Sequence, residues 1–395
     1  MNTAFKITDP LFPWQDPEFI KNPYPWYKVL REHHPVYQLS NGDYLISRYE
    51  DIIKWAKHPS LSIEEPIPIH NPWAALRNSM LFVDPPVHTR RRRITNHWFT
   101  PKLVSEWVKQ TRLVVEETLD KLEKGETIDA FYELGVRPTH VTMCRVFQIP
   151  EDDIRPIIKG MFDTMYIHSY DQSKERMDLA DEAFVYMKDR VRKVLADKRK
   201  NPGTGLADYL LDLQDKGELT EDEVLDTVTL FFSSGGHNPG YLSTVGIEEF
   251  ARRPEIMHTY KTRPDLRKSI VNELLRYHPS ELSYIRYTTE DIEIAGTHIP
   301  AKSTLVFLIA SANRDESYFE RPDEFICDRA PEASMHLTFG IGIHNCAGQV
   351  ISRAEIETIL TTIAERYESV ELVGEPKQEH THRALNYHEM LVKFY

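Results

Sequence analysis

The chain has 395 residues and a formal net charge of −13, because 61 aspartates and glutamates outnumber 48 lysines and arginines. This length is enough for a large hydrophobic core, and the acidic balance argues against nucleic acid as a partner. No stretch reaches the roughly 18 consecutive apolar residues of a membrane helix, and the first residues lack the basic-then-apolar order of a signal peptide. We therefore expect a cytoplasmic protein without a membrane partner.

The chain contains three cysteines, Cys144, Cys327 and Cys346, at wide spacing. None has a cysteine or histidine neighbour at the spacing of a zinc finger, so neither a disulfide framework nor a zinc cluster is expected. A lone cysteine is usually a small buried hydrophobic residue. Only its local sequence can mark one of the three as functional.

The first elements combine helix and strand. The pattern of Tyr24 to Glu32 predicts a helix, and Pro35 to Gln38 and Tyr44 to Ser47 flank Asn41-Gly42, which predicts a hairpin. A long amphipathic helix is predicted from Leu103 to Glu123.

A second long helix is predicted in the middle of the chain. Thr220 and Glu223 form a capping-box pattern ahead of an apolar run, and the periodicity continues to Phe250.

The last third again mixes helix and strand. We predict a helix from Leu266 to Tyr277, strands from Ile292 to Ile299 and from Thr304 to Leu308, and a final helix after Cys346. Neither an internal repeat nor a long Gly/Ser linker divides the sequence. The expectation is one mainly α domain with small β-sheets that spans residues 1–395.

Residues 339–348, FGIGIHNCAG, are the most informative stretch. Two glycines precede Cys346, and glycine permits the tight turns and close backbone approach that a flat ligand requires. A cysteine at a helix N-terminus lies near unpaired amides, which favour the thiolate, and a thiolate is one of the ligands of haem iron. On spacing alone, a glycine-rich turn around a buried thiol remains an equal alternative.

This segment resembles the haem-binding signature of the cytochrome P450 family in Phe339, in the glycine before His344, in Cys346 and in Gly348. The resemblance implies the family's triangular helical prism around a buried haem b, iron protoporphyrin IX, with Cys346 as the iron ligand. It also implies that Phe339 packs beside the thiolate and that His344 hydrogen-bonds a haem propionate.

Three further charged residues follow the family's order. Glu273 and Arg276 have the spacing of an ordinary ion pair on a helix surface. By the resemblance, however, Glu273, Arg276 and Arg329 form a structural ion network behind the haem, and Arg286 reaches a propionate.

An arginine-rich segment resembles the family's helix across one haem edge. His88 and Arg92 are four residues apart and can point together at the propionates. Arg90, Arg91 and Arg93 then face outward and are candidates for a basic docking surface for an acidic electron donor such as a ferredoxin. The alternative is a solvated basic run.

The central helix departs from the family, which usually carries an acid followed by threonine for proton delivery. Here these positions hold Asn238 and Pro239. An amide cannot act as an acid, and proline has neither a hydroxyl nor the N–H that would bond the carbonyl of Gly235, so the helix should kink there. Protons would come from a substrate hydroxyl or amine, from water held by Asn238 and Gly235, or from Ser234 or Ser243. A role in shaping the pocket alone also remains open.

Family likeness assigns a largely apolar substrate pocket, although core packing is an equal alternative for each residue. The assigned wall residues are Ile69, Trp73, Phe162, Tyr166, Phe232, Leu282, Tyr284 and Leu385. Polar contacts are offered by Asn238, His168, Tyr284 and Asn386. We expect a hydrophobic, partly oxygenated natural product or an aromatic compound as substrate.

The resemblance implies a monomeric, O2-dependent monooxygenase that takes electrons from a separate ferredoxin or flavodoxin-type protein. Hydroxylation is the default reaction. Oxidative coupling or ring closure, or a peroxide-driven reaction, is the alternative within the same chemistry, and a haem-binding sensor without turnover is the alternative from another class.

Overall fold

The structure is a computed structural model that describes residues 9–66, 72–96, 98–151, 154–164, 173–331, 334–380 and 383–395. Its α-helices are α1 (Pro17–Lys21), α2 (Tyr24–His33), α3 (Tyr49–Trp55), α4 (Val87–Asn96), α5 (Pro101–Leu119), α6 (Arg137–Phe147), α7 (Ile154–Thr164), α8 (Lys174–Lys200), α9 (Leu206–Asp215), α10 (Glu221–Ser234), α11 (His237–Arg252), α12 (Pro254–Thr262), α13 (Arg267–Tyr277), α14 (Ile309–Ala312) and α15 (Gln349–Arg366).

The strands are short and form four sheets. They are β1 (Val36–Gln38), β2 (Tyr44–Ile46), β3 (Leu61–Ser62), β4 (Thr127–Asp129), β5 (Tyr284–Thr288), β6 (Ile292–Ile294), β7 (Thr297–Ile299), β8 (Thr304–Phe307), β9 (Val370–Leu372), β10 (Lys377–His380), β11 (Leu385–Glu389) and β12 (Leu391–Phe394). The largest sheet has the order β1-β2-β8-β5-β3, the next β4-β12-β9, and β10-β11 and β6-β7 are hairpins. The predicted mainly α fold with small sheets is confirmed.

Most sequence-predicted elements are present, with shifted ends. The hairpin around Asn41-Gly42 is present as β1 and β2, and Gly42 has a positive φ of 95°. The predicted helix from Leu103 to Glu123 begins two residues earlier, because the Thr100 side chain caps it, and already ends at Leu119.

One predicted strand, Ile292 to Ile299, is wrong as a single element. It is the hairpin β6-β7, because Ala295 and Gly296 both take positive φ angles, of 47° and 79°, and reverse the chain.

The main hydrophobic cluster joins the second half of the chain. It packs α11, α13 and α15 together, and one apolar face of α15 is fully buried in it. That face consists of Ile356, Ile359, Leu360 and Ile363. Gly246 of α11 permits the close contact with α15, since a Cβ at this position would lie 2.8 Å from Leu360.

The ion network predicted from the family order is present and buried. Arg276 donates to both carboxylate oxygens of Glu273 at 2.7 and 2.8 Å, and Arg329 donates to the same oxygens at 3.0 and 3.2 Å. The backbone N–H of Ile326 adds a further bond to this carboxylate at 2.9 Å. Burial alone would raise the pKa of Glu273, but these bonds and the two guanidinium charges outweigh it and lower the pKa. The network ties α13 to the segment that leads towards the Cys346 loop.

We predict that Glu273→Gln destabilises the protein by about 3–5 kcal/mol in urea unfolding, because it leaves two buried guanidinium groups without their charge partner. Since the pKa of Glu273 is lowered in the folded protein, its contribution is present above its ordinary pKa and is lost as the pH falls through the folded value. The wild-type protein should therefore lose its stability advantage over the variant in acid.

The exposed pair of Asp212 and Lys216 provides the control, and Asp212→Asn should change stability by no more than about 0.5 kcal/mol. Equal stability of Glu273→Gln and the wild type at neutral pH would contradict a structural role for the network.

Candidate functional site

The loop before α15 fixes the backbone of Cys346. The N–H of Cys346 donates to the carbonyl of Phe339 at 2.8 Å, and the N–H of Asn345 donates to Gly342 at 3.1 Å. Gly340 and Gly342 have φ angles of 70° and 79°, in the region that favours glycine. A Cβ on Gly342 would also lie 3.1 Å from the carbonyl oxygen of Ala56. The two glycines therefore serve the loop as the sequence predicts.

The Cys346 thiol lies on the wall of an internal space, because its side chain is accessible although protein atoms surround it. Burial raises the pKa of the thiol, whereas the N–H groups of Gly348 and Gln349 and the charges of Arg92 and Arg353 act to lower it. The expectation that the helix N-terminus favours the thiolate is correct in direction, but burial outweighs it. Metal coordination would supply the missing stabilisation, since a coordinating thiol is deprotonated.

Two histidines lie side by side near this loop, one on α4 and one before Cys346. The rings of His88 and His344 are 4.1 Å apart between centroids. Both ring nitrogens of His88 and Nε2 of His344 are buried without a hydrogen-bond partner, and Asp84 lies 3.7 Å from His344. Burial lowers the pKa of both, that of His344 to about 3. Buried imidazoles without partners indicate that a polar group of a ligand belongs there.

Arg92 and Arg286, the two arginines predicted to bind the propionates, have N–H groups that can still donate to a ligand. Arg92 donates to the side chain of Asn345 at 3.0 Å, so α4 and the cysteine loop are in contact. Arg286 on β5 is buried and donates to the carbonyl of Ile285 at 2.7 Å, and its guanidinium lies 4.9 Å from the Tyr284 ring centroid. Burial lowers the pKa of both arginines, because a buried guanidinium without a carboxylate partner is less stable in its charged form.

These groups fit a haem. A haem-thiolate centre has a thiolate at the iron and hydrogen-bond donors at its propionates. The structure supplies the Cys346 thiol, imidazole nitrogens without partners and two guanidinium groups that make few hydrogen bonds. The evidence for this fit is that buried polar groups lack hydrogen-bond partners within the described residues. The propionates of a haem would accept hydrogen bonds from them.

Sequence reasoning missed Arg353. It lies in the second turn of α15, which begins three residues after Cys346, and the sequence pattern carried no specific signal for it. Its guanidinium lies 4.5 Å from the centroid of the Phe339 ring, and its charge acts on the thiol. The Phe339 ring thus contacts a cation whose charge acts on the Cys346 thiol.

The predicted basic docking surface is wrong in part. Arg91 is largely buried and does not face outward. Arg90 and Arg91 both form ion pairs with Glu223 at the start of α10, the second at 2.8 Å, and this one carboxylate offsets one of their two positive charges. Arg93 is exposed and remains available for a partner.

The central helix is interrupted as the sequence predicts. The Thr220–Glu223 capping box begins α10, and the helix is interrupted at Gly235 and Gly236, whose backbones keep right-handed φ and ψ angles, before α11 begins at His237. The cause is Pro239, which has no N–H for the Gly235 carbonyl. A Cβ on Gly236 would lie 2.4 Å from the His140 ring, so the break is also a point of close packing.

One face of this interrupted helix is accessible. Between residues 223 and 247 every side chain is buried except four. These are Phe231, Ser234, Gly235 and Asn238. Their spacing of three, four and seven residues places them on a single helical face. Phe231 and Ala347, the neighbour of Cys346, both border the same hydrophobic cluster, so this part of the helix and the cysteine loop pack against common residues.

The predicted pocket residues divide into three groups. Trp73, Phe162, Tyr284 and Leu385 are partly buried at the borders of core clusters and can contact a ligand. Phe232 and Leu282 are only 3% exposed, because Phe232 packs with the α6 and α9 side chains and Leu282 packs against the N-terminal helices, so neither forms an accessible wall. Ile69, Tyr166 and His168 lie outside the described residues.

Further polar groups near the pocket lack partners. Tyr284 Oη and the Oδ1 atoms of Asn238 and Asn386 are buried without a hydrogen bond. Glu281, which we did not single out from the sequence, has a pKa raised to about 7 by burial, partly offset by Arg383. The pocket is therefore apolar with a few polar contacts.

In the described part of the chain, none of the helices has the length and hydropathy needed to cross a membrane.

Comparison with known proteins places this site in a family. A family model for cytochrome P450 matches residues 249–393. The biotin biosynthesis cytochrome P450 of Bacillus subtilis is 26% identical over 90% of this chain and 91% of its own. The structure of P450BioI in complex with an acyl carrier protein ligated to hexadec-9Z-enoic acid superposes with a TM-score of 0.89, at 25% identity, over 96% of this chain and all of that one.

Pentalenic acid synthase of Streptomyces avermitilis is 30% identical over 75% of this chain and 72% of its own length. With the likeness of fold and the thiol in its loop, this identity shows that the chain belongs to the cytochrome P450 family of haem-thiolate monooxygenases.

Proposed function

We propose that this monooxygenase binds haem b through Cys346 and oxidises a hydrophobic small molecule, a natural product or an aromatic compound. The observation that supports this most directly is the accessible Cys346 thiol in its glycine loop. Its neighbour Ala347 borders the same hydrophobic cluster as Phe231 on the accessible face of the central helix. When bound, the haem iron supplies the activation of O2. The residues of this chain hold the haem, exclude water and orient the substrate.

The haem edge is held by His88, Arg92, Arg286 and His344 in this proposal. Their support is the set of buried donors without partners and the buried guanidinium groups described above. Two propionates would pair with the two arginines, and the neutral imidazoles would add hydrogen bonds.

Electrons would come from a separate ferredoxin or flavodoxin-type protein, and the enzyme would act as a cytoplasmic monomer. Exposed Arg93 is the member of the arginine run that supports docking of an acidic donor, since Arg90 and Arg91 already pair with Glu223.

Hydroxylation is the proposed default reaction. The second candidate is oxidative coupling or ring closure without oxygen insertion, which Asn238 and Pro239 favour because neither can donate protons as the usual acid and alcohol do. Two relatives carry names that refer to synthesis, the biotin biosynthesis cytochrome P450 and pentalenic acid synthase, and a third is named nocardicin C N-oxygenase, from Nocardia uniformis, at 28% identity. These names support a natural-product substrate.

We predict that replacing Arg286 with methionine weakens haem retention about 10- to 100-fold, since hydrogen bonds to a charged group contribute about 1.5–3 kcal/mol. Transfer of haem to apomyoglobin measures the effect. Arg93→Met removes an exposed arginine and serves as the control, with haem transfer unchanged. Wild-type transfer rates in Arg286→Met would contradict the assignment of this residue to a propionate.

The reaction class is tested with labelled O2. Purified enzyme, a bacterial ferredoxin with its reductase and hexadec-9Z-enoic acid, the acyl group in the P450BioI complex, form the first assay. Insertion predicts a product heavier by one labelled oxygen atom, whereas coupling or desaturation predicts an unlabelled product with two hydrogens fewer. If neither electron consumption nor peroxide release changes with this or any other apolar ligand, the result would contradict an oxidase. It would support the alternative of a haem-binding sensor without turnover.

A further inference from the structure

We infer that the carboxylate of Glu281 anchors a positively charged amine of the substrate, so that the substrate is an apolar molecule with an ammonium group. This inference rests on the proposed function, because it places the ammonium group in the substrate pocket of that enzyme. It goes beyond the proposed function by assigning a charge to the substrate and by naming the residue that selects it.

Glu281 lies where two segments of the proposed pocket meet. It forms an isolated β-bridge with Ala384, directly before β11. It also precedes β5, the strand that carries Tyr284 and Arg286. Five residues of extended chain span at most about 18 Å. The Cα atom of Glu281 is therefore no further than this from that of Arg286, the residue proposed to bind a propionate.

The register of the bridge determines the side on which Glu281 lies. Backbone hydrogen bonds from the N–H groups of Leu282 and Leu385, of 2.6 and 3.0 Å, flank the bridge. Glu281 and Ala384 are therefore a non-hydrogen-bonded pair, whose side chains lie close together on one face. The opposite face is apolar, because Leu282 and Leu385 both pack in the cluster of the N-terminal helices. The carboxylate of Glu281 lies on the face away from this cluster.

The carboxylate of Glu281 has no partner among the described residues. It makes neither a hydrogen bond nor an ion pair with them. Its side chain keeps accessible surface, although the surrounding protein raises its pKa to about 7. Arg383 acts on it through its charge and is not bonded to it. A desolvated carboxylate is unfavourable without a partner, so a ligand group is expected here.

Three buried carboxylates elsewhere in the protein show the contrast with a structural role. Glu273 and Glu223 each bind two arginines. Glu249 contacts His278 at 2.8 Å. Contacts with cations of the chain lower the pKa of all three, whereas the pKa of Glu281 is raised. The cation that would stabilise Glu281 in the same way must therefore come from outside the chain.

A second acceptor lies on the same face. Asn386 is two residues after Ala384, so the two side chains share the face of Glu281. Its Oδ1 atom is buried without a hydrogen bond. Both the amide oxygen and an ionised carboxylate only accept hydrogen bonds. A hydroxyl offers them one proton, whereas an ammonium group offers several N–H donors and a charge opposite to that of Glu281.

The experiment compares 1-adamantylamine with 1-methyladamantane, which are similar in shape and differ by an ammonium group in place of a methyl group. Binding to the ferric holoenzyme is measured at pH 8 by equilibrium dialysis and by the shift of the Soret band. Glu281→Gln keeps the size of the side chain and removes its charge. It should weaken binding of the amine roughly tenfold and leave that of 1-methyladamantane unchanged. Glu293→Gln removes an exposed carboxylate of β6 and is the matched control, with both affinities unchanged.

The affinity of the wild type for the amine should also rise about tenfold from pH 6 to pH 8. Glu281 ionises through this range because its pKa is about 7, while an alkylammonium group, with a pKa of about 10, stays charged. The other charged or titratable groups here are Arg383, Tyr284, whose pKa is raised by burial, and the ion pair of His388 and Glu379. Glu281→Gln retains all of these groups. A pH dependence that persists in this variant therefore contradicts the assignment to Glu281.

The inference is overturned if the wild type does not bind the amine or if Glu281→Gln binds it as tightly at pH 8. A red-shifted Soret band of equal size in both proteins also overturns it, because the nitrogen then binds the iron. The carbon monoxide spectrum and the binding of 1-methyladamantane separate these results from failure of the proposed function. Both persist if only the ammonium site is wrong, and both are absent if the haem-thiolate pocket is wrong.

Discussion

Burial and the surrounding charges act in opposite directions on the pKa of the Cys346 thiol. Burial opposes the anionic form of Cys346, while two amide N–H groups and two guanidinium charges favour it without prevailing. A thiol in this position is inert as an acid but well placed as a ligand, because an iron ion replaces the proton and adds the missing positive charge. The glycine turns and the bond from Cys346 to Phe339 hold the sulfur in place before a metal binds.

Two groups of elements contribute to the site around Cys346. On the cysteine side, the buried network of Glu273, Arg276 and Arg329 ties α13 to the chain that leads into the loop. On the opposite side, α10 and α11 present a short accessible face in a helix that is otherwise buried. Both sides share α15, which begins directly after the cysteine loop and packs against α11 in the main core. The proposed cofactor site and the proposed substrate site would therefore lie between elements that pack in one core.

Sequence reasoning predicted the features that depend on neighbouring residues in the chain. The capping box at Thr220, the glycine turns at the cysteine and the break before Pro239 each follow from a few adjacent residues, and each is present. It failed for side chains whose interaction partners lie far away in the sequence. The pairing of Arg90 and Arg91 with Glu223 joins segments that are far apart in sequence, and nothing near the arginines signals it.

The pocket shows the same limit. Phe232 and Ser234 are two residues apart on one helix, yet Phe232 faces the core and Ser234 the internal space, because the helix turns by about 200° between them. The resemblance to the family predicts which segment lies near the pocket. The rotation of the helix determines which of its side chains face the pocket. The accessible face was therefore visible only in the structure.

The central claim is that Cys346 is the thiolate ligand of the haem iron. The most direct measurement is the absorption spectrum of the reduced protein with carbon monoxide, recorded for the wild type, for Cys346→Ser and for Cys327→Ser. We predict the red-shifted Soret band of thiolate ligation in the wild type and in Cys327→Ser, and its loss in Cys346→Ser. A red-shifted band that persists without the Cys346 sulfur, or that is absent from the wild-type holoenzyme, would contradict the account.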